Sequence, residues 1–178
     1  MASVAILVDV DGVLCPFPGV DACRDHWPAE DWRHDAVGRT LGIEWSSGAI
    51  DRLRAVTGLP GVTAWWCTTW RSHAPRVLAP MIGLGADWDV CDVEGGAFAE
   101  AGWWKSRCAR DAVGMYDAVV WIDDMLDAWQ AEMALSGGDG PEEWPGGRLL
   151  MVSPASDLGL EAHHLDQIEA FVRDALAD

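Results

Sequence analysis

Apolar runs alternate with stretches of helical periodicity along most of the chain. The first run, Ala5 to Leu14 (AILVDVDGVL), carries an apolar segment straight into two aspartates spaced by one residue and then a glycine. That pattern predicts a buried strand stopping at a charged tip. Gly61 to Trp70 (GVTAWWCTTW) is a second apolar strand, ending at Thr68 and Thr69. A short strand around Trp88 to Val90 leads to Asp92, Tyr116 to Asp124 (YDAVVWIDD) is a third long run ending in acids, and GRLLMVSP supplies the last strand. Between these runs the 3.6-residue period predicts helices. One starts at Ser46 or Ser47, shows Ile50, Leu53 and Val56 at helical spacing, and stops at Gly58 and Pro60. The others run from about Ser72 to Ile82, Trp103 to Val113 after Gly95 and Gly96, Met125 to Leu135, and Leu160 to Leu176.

Three stretches break the alternation. Cys15 to Val20 holds two prolines and a glycine and reads as a loop. Asp21 to Ile43 mixes charges and aromatics with weak periodicity, so it is expected to be a surface insertion, either a small cap or a hairpin with Thr40 to Trp45 as one strand. Its histidines, His26 and His34, are expected to be solvated, with contact to substrate the competing reading. Ser136 to Gly147, rich in Gly and Pro, is expected to be a surface loop.

Strands alternating with helices predict an α/β domain around a parallel sheet. In such sheets the site lies beyond the carboxyl ends of the strands. The polar groups stand at those ends: Asp9 and Asp11, then Thr68 and Thr69, then Asp123 and Asp124. Strand alternation sends Asp9 and Asp11 to the same side, with Val10 opposite. Two carboxylates ~4 Å apart at an effective dielectric of 20 repel by about 4 kcal/mol. A shared proton, a lysine or a divalent metal would offset that, the metal most effectively. Asp and Gly are also ordinary turn residues. A calcium loop of the EF-hand type also opens Asp-x-Asp, but it requires a preceding helix and a Glu at its twelfth position, where this chain has Val20.

Composition narrows the classes. The 178 residues fit one domain with at most a small insertion at about 15–45. A net charge of −17 opposes general affinity for nucleic acid or anionic membrane. The opening apolar run is too short for a secretory leader and no run approaches the length of a membrane span, so a soluble, cytoplasmic protein is expected. Oligomeric state is left open. Cys15, Cys23, Cys67, Cys91 and Cys108 form no Cys-x-x-Cys pair and are expected to be reduced thiols acting as small hydrophobes, with a zinc site the minor alternative. Of the tryptophans, Trp65, Trp66 and Trp121 lie in apolar strands and belong to the core. Trp70, Trp103 and Trp104 flank the strand tips, where core packing competes with stacking on a base. His163 and His164 read as surface or boundary residues.

A carboxylate can attack phosphorus and form an acyl phosphate. A phosphate approaching several acids needs a cation between them, and Mg²⁺ is the fitting one. Asp9 and Asp123 can supply carboxylate oxygens and Asp11 its backbone carbonyl, which frees the Asp11 side chain for proton transfer. Thr68 can donate to a phosphoryl oxygen, although a threonine can equally just fill a strand end. Lys105 is the single lysine among 12 Lys and Arg residues. Its compact charge suits a place between a carboxylate and a phosphate, with solvent exposure the competing reading. Gly12, Thr69 and Arg71 are expected to border the substrate, and Arg71 has a surface ion pair as its alternative.

Taken as a set, Asp9-Val10-Asp11-Gly12, Thr68, Lys105 and Asp123-Asp124 resemble the four motifs of the haloacid dehalogenase-like superfamily of phosphohydrolases. The order and spacing agree over nearly the whole chain. More narrowly, WCTTW, VVWIDD and VSPASDLGLEAHHLDQI are similar to the haloacid dehalogenase-like (HAD) domain of Swiss-army-knife RNA repair proteins. The resemblance implies a Rossmann-like parallel sheet with helices on both faces and strand order 5-4-1-2-3. It also implies Asp9 as nucleophile, Asp11 as general acid and base, and Mg²⁺ held by Asp9, Asp11, Asp123 and Asp124. Asp127 competes with Asp124 for the last of these places. True dehalogenases are similar but lack the second aspartate, so Asp11 points to phosphoryl chemistry.

The expected function is a Mg²⁺-dependent phosphatase acting on a small phosphorylated substrate, such as a nucleotide or sugar phosphate, or on a nucleic-acid end. The competing class is a noncatalytic module of the same fold that binds a partner or a nucleotide.

Overall fold

The computed structural model describes residues 2–17, 25–37, 41–91, 104–137, 140–144 and 146–177. Five parallel strands make the main sheet: β1 (Val4–Val8), β4 (Val62–Trp66), β5 (Asp89–Val90), β6 (Ala118–Ile122) and β7 (Arg148–Val152). They lie in the order β5-β4-β1-β6-β7. A separate antiparallel hairpin, β2 (Trp32–Val37) and β3 (Leu41–Ser46), follows β1 in the chain. Helices α1 (Ser47–Thr57), α2 (Ala79–Ile82), α3 (Trp104–Met115), α4 (Leu126–Ser136) and α5 (Ala162–Ala177) complete the fold.

The two unbroken apolar runs, VAILV and AVVWI, sit side by side at the sheet's centre, and every residue in both is buried. Continuous hydrophobicity is what a strand covered on both faces requires. Alternation then sorts the side chains into two layers. Val4, Ile6, Val8, Val120 and Ile122 share one layer with Ile50 and Leu53 of α1 and Leu165, Ile168 and Val172 of α5. Ala5, Leu7, Val119 and Trp121 share the other with Ala109, Ala112 and Val113 of α3 and Leu126 and Trp129 of α4. The expected α/β architecture, a parallel sheet with helices on both faces, is therefore present.

Four local expectations are corrected. The strands stop earlier than their apolar runs, at Val8, Trp66 and Ile122. At the first of these ends the amides of Val13, Leu14 and Cys15 all turn back onto the Val10 carbonyl, so the chain leaves β1 in a tight turn and strand alternation does not extend to Asp11. The second correction concerns the insertion, which is a hairpin as one alternative had it but is not merely superficial. Trp27, Ile43 and Trp45 are buried in the main core, and Trp27 Nε1 donates to the Leu160 carbonyl at 2.8 Å. His26 is half-buried rather than solvated, with Nε2 3.1 Å from the Leu158 carbonyl.

Third, the helix expected from Ser72 to Ile82 is a π-helical turn, Ala74–Leu78, continued by α2. Pro80 has no N–H to give the carbonyl four residues back, and a widened turn accommodates that loss. Fourth, the segment before β7 is not all surface loop, because Trp144 stacks against Trp121 at 6.3 Å. As expected, Ser46 caps α1, its Oγ accepting from Ala49 N at 3.2 Å. Among the described residues no helix is long and apolar enough to cross a membrane.

Candidate active site

Because β4, β1 and β6 are neighbours in register, their carboxyl ends come out side by side. The ladder continues one step past each strand: Cys67 N donates to the Val8 carbonyl at 2.9 Å, Asp9 N to Ile122 at 3.0 Å, and Asp123 N to Val152 at 3.1 Å. Asp9 and Asp123 are thus fixed by the sheet itself, and Thr68 follows directly on Cys67. All three are buried.

Asp9, Asp123 and Asp124 each bring a carboxylate oxygen to within 4.8 Å of the others. Lys105, in the first turn of α3, is 3% exposed and reaches into this group. Its Nζ donates to Asp9 Oδ2 at 2.5 Å and to Asp123 Oδ2 at 2.6 Å. The remaining oxygens are held by backbone amides, Asp9 Oδ1 by Val10 N at 2.8 Å and Asp123 Oδ1 by Met125 N at 2.9 Å. A lysine buried this deeply normally loses its proton, but here the charges of Asp9 and Asp123 outweigh burial and raise its pKa. Burial and the neighbouring Asp9 push Asp123 up to about 7. Burial, then Asp9, also raises Asp124. Three acids facing one ammonium leave the cluster short of positive charge.

Asp11 stands outside this trio. Its Oδ2 accepts from the indole Nε1 of Trp70 at 3.0 Å, and burial raises its pKa against the lowering effect of that bond. Gly12, at φ +73°, occupies the left-handed region, and a Cβ there would lie 2.3 Å from Asp124 Oδ2. The glycine lets the turn pass directly under the Asp124 carboxylate. Gly12 thus has a steric role that its expected place beside the substrate does not describe. Asp127 is exposed in the first turn of α4 and is not in the trio.

Thr68 is fully buried, its Oγ1 accepting from Trp70 N at 3.3 Å, which leaves the hydroxyl proton to donate. Thr69 is exposed. Arg71 holds a non-glycine backbone at φ +46°, an uncommon conformation, and lays its guanidinium 4.7 Å over the Trp104 ring. Trp103, Asp92, Gly95, Gly96, Cys23 and Arg39 lie outside the described residues.

Sequence reasoning missed the Trp70 contact to Asp11, reading the indole only as a core or stacking surface. Its place just after the two threonines was the available signal. The segment following β7 was also unassigned, and it braces the first turn: Leu160 N donates to the Val13 carbonyl at 2.9 Å and Phe17 N to Ser156 at 2.8 Å. Glu161, His163 and His164 form another cluster at the start of α5, where His164 Nδ1 accepts from Glu161 N at 3.1 Å.

Three hard carboxylate donors in one group suit a hard divalent cation of the Mg²⁺ class, since the Asp9 and Asp123 oxygens keep a second lone-pair site beside their present hydrogen bonds. In comparisons with known proteins the chain matches no family model, no curated protein and no solved structure.

Proposed function

We propose that the protein is a Mg²⁺-dependent phosphohydrolase that cleaves a phosphomonoester through an aspartyl-phosphate on Asp9. The observation that carries this reading is the carboxylate trio of Asp9, Asp123 and Asp124 at adjacent strand ends, with the chain's single lysine bonded to two of them. Strand order supports the resemblance too. Counted among themselves in chain order, and read from the β7 edge, the five strands run 5-4-1-2-3.

Mg²⁺ bound by Asp9, Asp123 and Asp124, with the Asp11 carbonyl, would neutralise the charge that phosphate brings to these acids. In this reading Asp9 attacks phosphorus, an Asp9 oxygen–phosphorus bond forms, and the bond to the leaving oxygen breaks. Asp11, held by Trp70, gives its proton to that oxygen. The same carboxylate then takes a proton from the water that splits the acyl phosphate, returning Asp9 and releasing phosphate. Thr68 donates its hydroxyl to a phosphoryl oxygen. Lys105, bonded to Asp9 Oδ2, holds that carboxylate in its orientation.

A small phosphorylated substrate, such as a nucleotide or sugar phosphate, fits better than a long polynucleotide. The chain's net charge is −17, and three carboxylates crowd the candidate site. Both disfavour a long polyanion approaching the site. The test is turnover of p-nitrophenyl phosphate and of a panel of phosphorylated metabolites and 5′- or 3′-phosphorylated oligonucleotides, with and without Mg²⁺. Asp9→Asn is expected to abolish a Mg²⁺-dependent rate present in the parent. Absence of Mg²⁺-dependent turnover in the parent across the panel would assign the fold to a noncatalytic module.

A further inference from the structure

A second cluster lies one helical turn from Lys105 and takes no part in the phosphohydrolase reading. Cys67, Cys91 and Cys108 bring their sulfurs to within 4.8 Å of one another, and all three residues are buried. Strand register explains the first two. Trp65 pairs with Asp89 and Trp66 with Val90, so the next step sets Cys67 beside Cys91, and Cys91 N donates to the Trp66 carbonyl at 2.8 Å. The third sulfur comes down from α3, in the apolar layer that this helix shares with the sheet.

We propose that Cys67, Cys91 and Cys108 form a binding site for a thiophilic divalent cation, Zn²⁺ being the fitting one. Zinc takes thiolate sulfur at ~2.3 Å in tetrahedral geometry, which needs sulfurs roughly 3.8 Å apart, and the sulfurs of this trio lie within 4.8 Å of one another. Three protein ligands leave a fourth position for water, as in zinc sites that are not closed. Charge also favours a divalent ion. Three thiolates and Zn²⁺ carry one net negative charge, and the guanidiniums of Arg71 and Arg107 both act on the Cys108 sulfur. A disulfide would use only two of the three buried sulfurs.

Such an ion would tie the ends of β4 and β5 to α3. Cys67 immediately precedes Thr68, and Cys108 lies one turn beyond Lys105, so the clamp would set the spacing of two residues of the candidate active site. The site does not depend on the phosphatase reading, since its ligands are sulfurs and none belongs to the acid cluster.

The test uses the full chain, reduced and stripped with chelator, titrated with Co²⁺ as a spectroscopic substitute for Zn²⁺. The expected result is a thiolate-to-cobalt charge-transfer band saturating at one equivalent and displaced by Zn²⁺. Cys108→Ser and Cys91→Ser should each remove that band and weaken Zn²⁺ binding by about tenfold or more, the scale on which metal sites respond even to losing an orienting partner. Cys15→Ser, at a buried cysteine outside the trio, should keep it. The oxygen donors of the acid cluster cannot produce a sulfur band. A parent protein with no such band overturns the proposal, as does a band unaffected by Cys108→Ser in a variant that keeps its circular dichroism. Mild oxidation that yields a Cys67–Cys91 disulfide in protein that takes up no metal would replace the site with a redox pair.

Discussion

Lys105→Met tests the electrostatics on which the acid cluster rests. Methionine keeps the length of the buried stem and removes the ammonium that now lies 2.5 Å from Asp9 and 2.6 Å from Asp123. At an effective dielectric of 20, each contact at that distance is worth about 6 kcal/mol gross, and much of it is offset by the desolvation of three charges. Removing one member of a buried ionic group typically costs about 3–5 kcal/mol, because the charges left behind have neither water nor partner. For a chain of this size that corresponds to a drop of roughly 6–20 °C in Tm. Urea unfolding in excess chelator should show the full deficit. Repeating the titration in millimolar Mg²⁺ should recover part of it, because the divalent ion supplies charge where the lysine did. The parent, already holding an ammonium there, should gain less from Mg²⁺ than the variant does. A loss below about 1 kcal/mol in chelator, or a deficit indifferent to Mg²⁺, would refute the reasoning and mean that the acids are neutralised by shared protons.

Gly12→Ala places a methyl 2.3 Å from Asp124 Oδ2 on a backbone at φ +73°. Stability should fall by about 1–2 kcal/mol from the left-handed backbone alone, and displacement of Asp124 should weaken Mg²⁺ binding by calorimetry. Unchanged Mg²⁺ affinity would remove Asp124 from the ligand set. At the other end of the sheet, Asp117 Oδ2 accepts from Ser3 N and Ser3 Oγ, both at 2.8 Å, and these bonds hold its pKa below the ordinary 3.8. A carboxyl depressed on folding stabilises the protein above the ordinary value and loses that contribution as pH falls through the folded one. Asp117→Asn should therefore lie below the parent in Tm at neutral pH, with the gap closing in acid. A gap independent of pH would show that the contact owes nothing to the charge.

The sequence by itself determined the sheet and most of the acid site. Runs such as VAILV and AVVWI are apolar at every position, and only a strand covered on both faces can hide such a run, so the α/β class followed from local pattern. The acids sit where those runs end, and parallel strands put such ends on one edge. Asp9, Thr68 and Asp123 were therefore legible from neighbouring residues alone. Lys105 stood out because the chain uses arginine everywhere else. Packing decided the rest. Trp27, Ile43 and Trp45 lie in a stretch with no clear period, and their burial depends on partners such as Leu160 far along the chain. Asp124 was separated from Asp127 by a turn that passes beneath the first and leaves the second exposed. Asp11 parted from Asp9 because Trp70 reached it first. Cys67, Cys91 and Cys108 share no motif, and only the register of β4 with β5 and the descent of α3 bring them together. Periodicity reports which face of an element is buried, whereas contacts between elements depend on how those faces are assembled.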